Sequence, residues 1–367
     1  MSRPVAIRLS QLCKRYPGSA GLAVDHLDLE IPAGEIVALV GPSGCGKTTT
    51  LKMINRLIEP TSGTIEIHGR PADEAPVHEL RRGIGYVIQQ TGLFPHKTVA
   101  GNIATVPRLL GWDKARIRAR VEELVDLVGL DRQLLERYPG ALSGGQQQRV
   151  GVARALAADP PILLMDEPYS AVDPIVRARL QDELLDLQRR VHKTIVLVTH
   201  DVDEAIKLGD RVVVLNVGGR LEQAAPPAEI LAAPASPFVA DFLGEERGLK
   251  RLALLRVRDI TPGPGPVADV GDHAEDVRAL MQAHGVKWFG VREHGRLLGW
   301  QWGDALDATV RGEGCEPFRT VVSPDTTLRT ALDGIVGSLT NVAVVVSPEG
   351  DYQGMVRIEE ISEGVRR

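Results

Sequence analysis

Short apolar runs recur along the chain, each bounded by glycine or by charge. Residues 35–40 read E-I-V-A-L-V, and similar runs lie at 84–88, 162–165, 194–199 and 212–215. Continuous apolar runs of this length predict strands buried on both faces. Between them the apolar positions spread out, as at Val121, Leu124, Val125 and Val128. That spacing predicts helices with one buried face. A further helix is expected at 48–57, and N-V-G-G at 216–219 is expected to turn between two strands. Strands alternating with helices predict an α/β fold, a mainly parallel sheet covered on both sides.

The pattern changes near residue 225. A-A-P-P-A-E-I-L-A-A-P-A-S-P is rich in Pro and Ala and reads as a lead-out, and T-P-G-P-G-P at 261–266 reads as a linker or long loop. Beyond it a weak internal repeat begins. Residues 277–300 and 328–356 each read as a helix, an apolar strand, a Gly turn and a second short strand. The expected division is a first domain at 1–245, with a helical subdomain at about 92–155, and a second at 246–367. The second holds repeats at about 266–310 and 317–363.

Composition narrows the function classes. The chain has 367 residues, 43 basic and 48 acidic, for a net charge of -5. There is no overall basic footprint of a nucleic-acid binder. Cys13, Cys45 and Cys315 form no metal-spaced pair, so a reducing cytosol fits best. No apolar stretch follows Arg3 and Arg8, and no run approaches the ~18 apolar residues of a membrane span. Any membrane role is expected to be peripheral.

The chemistry concentrates in three places. The first is G-P-S-G-C-G-K-T-T: Gly41, Pro42, Ser43, Gly44, Cys45, Gly46, Lys47, Thr48 and Thr49. Between a strand and a helix it fits a phosphate loop. Glycines let backbone N–H groups converge on phosphate oxygens, and the helix N-terminus adds its dipole. Lys47 is expected on the β- and γ-phosphates and Thr48 on Mg²⁺. The second is P-I-L-L-M-D-E-P at 161–168, a buried strand ending in two carboxylates. Asp166 is placed to coordinate Mg²⁺ through water and Glu167 to polarise an attacking water. The third is L-S-G-G-Q at 142–146, a second N–H-rich turn of Ser143, Gly144, Gly145 and Gln146 opening a helix. Two anion-binding turns are one too many for a single nucleotide.

With these three segments the chain resembles the ATP-binding subunits of ABC transporters over roughly residues 5–245. The resemblance implies a nucleotide-binding domain with a P-loop core sheet and a helical subdomain, working as a homodimer that sandwiches two ATP. In such a dimer the Ser143–Gln146 turn closes on the nucleotide of the partner subunit. By the same resemblance Tyr16 stacks on adenine. Gln89 touches Mg²⁺ and relays to a permease. Asp173, in S-A-V-D at 170–173, lies in the loop crossing the dimer interface, and His200 contacts the γ-phosphate. Glu167, His200, Lys47 and Gln89 are thus the implied catalytic residues. Thr48, Gln89 and Asp166 are the implied Mg²⁺ ligands.

A finer resemblance rests on G-Y-V-I-Q-Q-T-G-L-F-P-H, L-M-D-E-P-Y-S-A-V-D-P and P-F-V-A-D-F-L-G-E-E-R-G-L-K. These are similar to glycine betaine/carnitine/choline (osmoprotectant) importers, apart from Ser170 where those commonly have Gly. The tail is similar to a tandem pair of CBS domains. The hydroxyl and acid that would hold a ribose are replaced, by Trp302 with a displaced Asp304 and by Arg357. The resemblance implies an ATP-hydrolysing motor on the cytoplasmic face of a permease, served indirectly by an extracytoplasmic binding protein, without nucleic acid. The alternatives are a soluble ABC-type ATPase acting on nucleic acid or ribosomes, and a motor for another solute.

Overall fold

The computed structural model describes residues 4–19, 21–89, 92–170 and 172–366. Arg3, Gln90, Thr91, Ala171 and Arg367, all within segments named above, lie outside the described residues. The chain divides into two compact units, Met1–Leu243 and Gly244–Arg367.

The first unit holds two sheets. β1 (Val5–Lys14), β2 (Val24–Pro32), β4 (Ser62–Ile67) and β5 (Arg70–Pro71) form an antiparallel sheet in the order β2-β1-β4-β5. The second sheet contains β3 (Ile36–Val40), β6 (Ile84–Val87), β7 (Ile162–Asp166), β8 (Thr194–Val198), β9 (Arg211–Asn216) and β10 (Arg220–Ala225). Its order is β10-β9-β3-β8-β7-β6, parallel except for the β9–β10 hairpin. Every residue of β3, β7 and β8 is buried, as continuous apolar runs require of strands covered on both faces. Val121, Leu124 and Val125 form the buried stripe of the Lys114–Leu127 helix. They join one core with Val150 and Ala153 of the Gly144–Leu156 helix and with Leu163 and Met165 of β7. The α/β sheet expected from the pattern is present.

The segment after β10 corrects one expectation. It is a pair of short helices, Pro227–Ala232 and Pro237–Leu243, rather than a lead-out. Ile230, Leu231, Val239 and Leu243 are buried. Proline stands at the first position of each helix, where its missing N–H costs no hydrogen bond.

The second unit contains two three-stranded sheets. One holds β11 (Val267–Asp269), β12 (Trp288–Glu293) and β13 (Arg296–Trp302); the other holds β14 (Val321–Val322), β15 (Ala343–Val346) and β16 (Tyr352–Val356). In each, the first strand runs parallel to the second and a helix joins them, Ala274–His284 or Leu328–Val336; the third strand returns antiparallel. The stretch at 261–266 carries no helix or strand, yet it is anchored. Gly263 exchanges both backbone hydrogen bonds with Met355, at 2.9 and 2.8 Å, and Tyr352 Oη donates to Pro264 O at 2.6 Å.

Candidate functional site

Parallel strands bring their C-terminal ends to one edge of the sheet, and the loops leaving β3, β6, β7 and β8 converge there. The loop after β3 runs from Gly41 to Gly46 and enters the Lys47–Ile54 helix. Gly46 has φ 96°, and a Cβ there would lie 2.4 Å from Ala23 O; at Gly41 a Cβ would lie 2.1 Å from Leu215 O. Both positions exclude any larger residue, so the loop's sharp path depends on these glycines. Lys47 Nζ donates to Gly41 O at 2.7 Å and Pro42 O at 3.0 Å. The buried ammonium thus lies folded over the loop's own carbonyls. Cys45 is fully buried, so only its backbone belongs to the loop's concave face.

Thr48 Oγ1 donates to Asp166 Oδ1 at 2.8 Å, joining the loop after β3 to the end of β7. Burial raises the pKa of the Asp166 carboxyl above the usual range, against the Thr48 hydrogen bond and the nearby Lys52 and Lys47 charges. A buried carboxylate so placed gains from a cation beside it. Glu167 follows with φ 45°, a left-handed backbone rare for a residue with a side chain. Its N–H donates to Val198 O at 2.9 Å, which holds the kink against β8. The kink brings Glu167 Oε2 to 2.8 Å from Gln89 Nε2, the donor, and to 3.4 Å from His200 Nδ1. Gln89 follows β6 and His200 follows β8. Three residues far apart in sequence therefore share one carboxylate oxygen.

Tyr16 is 38% exposed, with Oη 3.3 Å from Thr49 Oγ1 and Lys14 Nζ 5.4 Å from its ring centre. This leaves an open aromatic face beside the phosphate loop. The Ser143–Gln146 turn is closed on itself. Gln146 N donates to Ser143 Oγ at 3.3 Å and Ser143 N to Gln146 Oε1 at 2.9 Å, a reciprocal cap that starts the helix at Gly144. Asp173 caps the Pro174–Val191 helix, accepting from Ile175 N and Val176 N at 2.9 and 3.1 Å. Neither residue reaches the Gln89–Glu167–His200 group through these bonds.

One layer was missed by sequence reasoning. Glu204, 6% exposed, accepts from Thr199 Oγ1 at 2.8 Å, and Thr199 Oγ1 in turn accepts from Asp201 N at 3.0 Å. These bonds fix the turn carrying His200. Arg177 Nη1 lies 3.6 Å from Asp201 Oδ2. Burial pushes the Glu204 carboxyl up to about 7. The only signal in T-H-D-V-D-E was an acid three residues after a capping Asp, a pattern that normally marks an exposed helix start.

In the second unit, Trp302 is 42% exposed, and Arg357 donates to Glu360 Oε1 at 3.1 and 2.7 Å. Gly263, Pro266, His284, Trp288, Met355 and Arg357 line a cavity of about 50 Å³.

A parallel sheet whose strand ends combine a phosphate loop, a buried Asp and a kinked Glu defines a P-loop nucleoside triphosphatase. Comparison with known proteins narrows the class. The family model described as "ABC transporter" matches residues 24–170. The osmoprotectant import ATP-binding protein OsmV of Salmonella typhimurium is 47% identical, over 97% of this chain and 95% of its own. The glycine betaine/carnitine/choline transport ATP-binding protein OpuCA of Bacillus subtilis is 56% identical, over 66% of this chain and 63% of its own. Among solved structures, cbiO1 of Clostridium perfringens, part of an ABC transporter complex, superposes with a TM-score of 0.60 at 26% identity, over 69% of this chain and 96% of that one. The ATP-binding cassette MJ0796, in a dimer bound to ADP and Pi, gives 0.54 at 34% identity. The chain belongs to the ATP-binding subunits of ABC transporters, and its first unit is an ATP-binding, ATP-hydrolysing domain.

Proposed function

We propose that this subunit powers import of quaternary-amine osmoprotectants through a partner permease. The substrate class rests on the 47% identity to OsmV, which spans the tail as well as the motor. For a motor of another solute, sulfate/thiosulfate import subunits are 45–50% identical but over 65–71% of this chain, so that match does not run through the tail. The subunit works as a homodimer on the cytoplasmic face of the membrane. Among the described residues no helix is long and apolar enough to cross one. An extracytoplasmic binding protein delivers the solute to the permease.

The catalytic reading rests on one observation: Gln89 and His200 both reach the Glu167 oxygen. Glu167 orients the attacking water in line with the γ-phosphate. His200 moves off the carboxylate to hold the γ-phosphate, and Gln89 reports that change to the permease. Lys47 leaves the carbonyls of Gly41 and Pro42 for the β- and γ-phosphates, while backbone N–H groups of Ser43, Gly44, Cys45, Gly46 and Thr49 enclose them. Tyr16 stacks on adenine. Thr48, Asp166 and Gln89 would hold Mg²⁺, and the part-buried, already paired Thr48 and Asp166 oxygens suit a hard cation. That ion supplies charge neutralisation along the phosphates. Ser143, Gly144, Gly145 and Gln146 close over the partner subunit's nucleotide, with Asp173 at the interface.

The tail, by this reading, is a CBS-like pair that regulates uptake. The cavity between its repeats is about 50 Å³, far below the roughly 300–1,000 Å³ of ligand pockets, and Glu360 occupies Arg357; an open cavity of about 400 Å³ beside Trp302 and Asp304 belongs to the first repeat alone. The small cavity and the paired Arg357 favour a regulator that does not take adenosine between its repeats. The function is tested by co-reconstituting the subunit with its neighbouring permease and binding protein in liposomes and measuring ATP-dependent uptake of labelled glycine betaine. Uptake above the Glu167→Gln control is the expected result. ATP hydrolysis without stimulation by glycine betaine, choline or carnitine overturns the substrate class.

A further inference from the structure

At the end of the β1–β2 hairpin the pairing slips. Leu12 faces Leu27 and Lys14 faces Val24, so Cys13 opposes two residues, Asp25 and His26. Such a bulge re-aims side chains. Here His26 takes φ 50°, and its N–H donates to Cys13 Sγ at 3.3 Å. The His26 ring sits over the Asp25 carboxylate, Nδ1 2.7 Å from Oδ1. One ligand atom each from Cys13, Asp25 and His26 lies within 4.8 Å of the other two, and among the described residues no other cluster of His, Cys and carboxylate side chains meets that test.

We propose that Cys13, Asp25 and His26 form a binding site for a zinc-class divalent cation, completed by water. A thiolate with an imidazole selects borderline metals such as Zn²⁺ over Mg²⁺ or Ca²⁺. Zinc bonds of about 2.0–2.3 Å set tetrahedral ligand atoms roughly 3.3–3.7 Å apart; the three ligand atoms already lie within 4.8 Å of one another, and the 2.7 Å Nδ1–Oδ1 contact would open by roughly half an ångström around the ion. The supports of such a site are already present. The His26 amide stabilises negative charge on sulfur. Arg220 Nε and Nη2 each lie 3.1 Å from Asp25 Oδ2, fixing the carboxylate's orientation, while Oδ1, which now pairs with His26 Nδ1, would exchange that contact for the ion. His26 is 63% exposed in its side chain and provides the way in, whereas Cys13 is 4% exposed. The same burial argues against a Cys–His–Asp nucleophile, whose sulfur must meet a substrate. β1 ends at Lys14, two residues before Tyr16, so a bound ion would hold the strand end that leads into the proposed adenine face.

The test uses the full chain, free of nucleotide, titrated with Co²⁺ as a coloured substitute for Zn²⁺. One equivalent should give a near-ultraviolet thiolate band with visible bands of tetrahedral cobalt, and excess Zn²⁺ should bleach both. Cys13→Ser should abolish the thiolate band, and His26→Gln should weaken cobalt binding by about tenfold or more. Zn²⁺ should raise the thermal unfolding midpoint of the native chain and leave that of Cys13→Ser unmoved. Neither Cys13 nor His26 touches the phosphate loop, so ATP binding serves as the check that each variant is folded. If Cys13→Ser fails that check, His26→Gln decides alone. No thiolate band in the native chain, or a band that survives either substitution at full strength, overturns the site.

Discussion

Gln89 Nε2 donates to Glu167 Oε2 across 2.8 Å, so the side chain proposed to signal to the permease is bonded to the carboxylate proposed to orient water. On the proposed reading the bond joins a sensing residue to a hydrolytic one. Glu167→Gln keeps the shape of the side chain and the contact with Gln89, and removes the negative charge. ATP should still bind and the dimer should persist, while single-turnover hydrolysis falls by about 10²–10⁴. Quench-flow with labelled ATP measures this directly. A native rate would reassign the general base.

Glu204 should give the chain a pH dependence near neutrality. Its carboxyl is pushed from the ordinary 4.5 up to about 7 by burial, and Oε1 has no hydrogen-bond partner, as suits a neutral acid. The groups facing it are Thr199, Asp201, Arg177 and His200. A raised acid pKa means that the folded chain binds the proton more tightly than the unfolded chain. Its contribution to stability is full below pH 4.5 and is lost as pH rises through about 7. Glu204→Gln cannot ionise and keeps an acceptor for Thr199. The variant should therefore show a flatter stability profile, gaining on the native chain by on the order of 2 kcal/mol between pH 5 and pH 8. Urea unfolding at those two pH values decides it; parallel profiles would mean that Glu204 stays ionised.

Leu93 and Phe94 are neighbours in different settings. Leu93 packs against the main core of the first unit, whereas Phe94 is 38% exposed. The Phe94 backbone is held independently of its ring, by Asn102 Oδ1 at 2.7 Å and Asn102 Nδ2 at 3.1 Å. The ring itself is flanked by Lys97 at 4.5 Å and Arg154 at 5.8 Å. Phe94→Ala should leave ATP hydrolysis by the free subunit unchanged and raise the ATP consumed per solute imported. Leu93→Ala should instead lower stability by about 1–3 kcal/mol. Equal loss of soluble ATPase activity in both would make Phe94 a packing residue and not a coupling one.

The motor was legible in the sequence because its chemistry is local. Lys47 and Thr48 sit in one glycine loop, and Asp166 and Glu167 end one strand. What the sequence withheld depends on long-range register or on burial. Arg177 meets Asp201 only because the Pro174–Val191 helix packs over the turn after β8. Glu204 follows Asp201 at the spacing of an exposed capping acid, and only its burial in the fold sets it apart. Cys13 and His26 are brought together by a one-residue slip in strand pairing, which no spacing rule displays. Pro227 and Pro237 read as breaks although each starts a helix.

The tail, Gly244–Arg367, is a compact unit of its own. Its apolar clusters are formed from its own residues: Leu252, Val257, Leu328 and Val356 in one, Val277, Phe289 and Val291 in another, and Trp288, Trp300 and Met355 in a third. The last is tied by edge-to-face aromatic contacts of Trp288 with Trp300 and Phe318, at 6.4 and 5.7 Å. An independent core predicts independent folding. A chain ending at Leu243 should therefore dimerise with ATP and hydrolyse it at the native rate. Uptake by the truncated importer should no longer respond to osmotic upshift, or to the screening of tail charges by salt. Proteoliposome uptake at stepped ionic strength, for native and truncated subunits side by side, measures the difference. A truncated subunit that fails to dimerise would make the tail a structural part of the motor, and an unchanged salt response would remove its regulatory role.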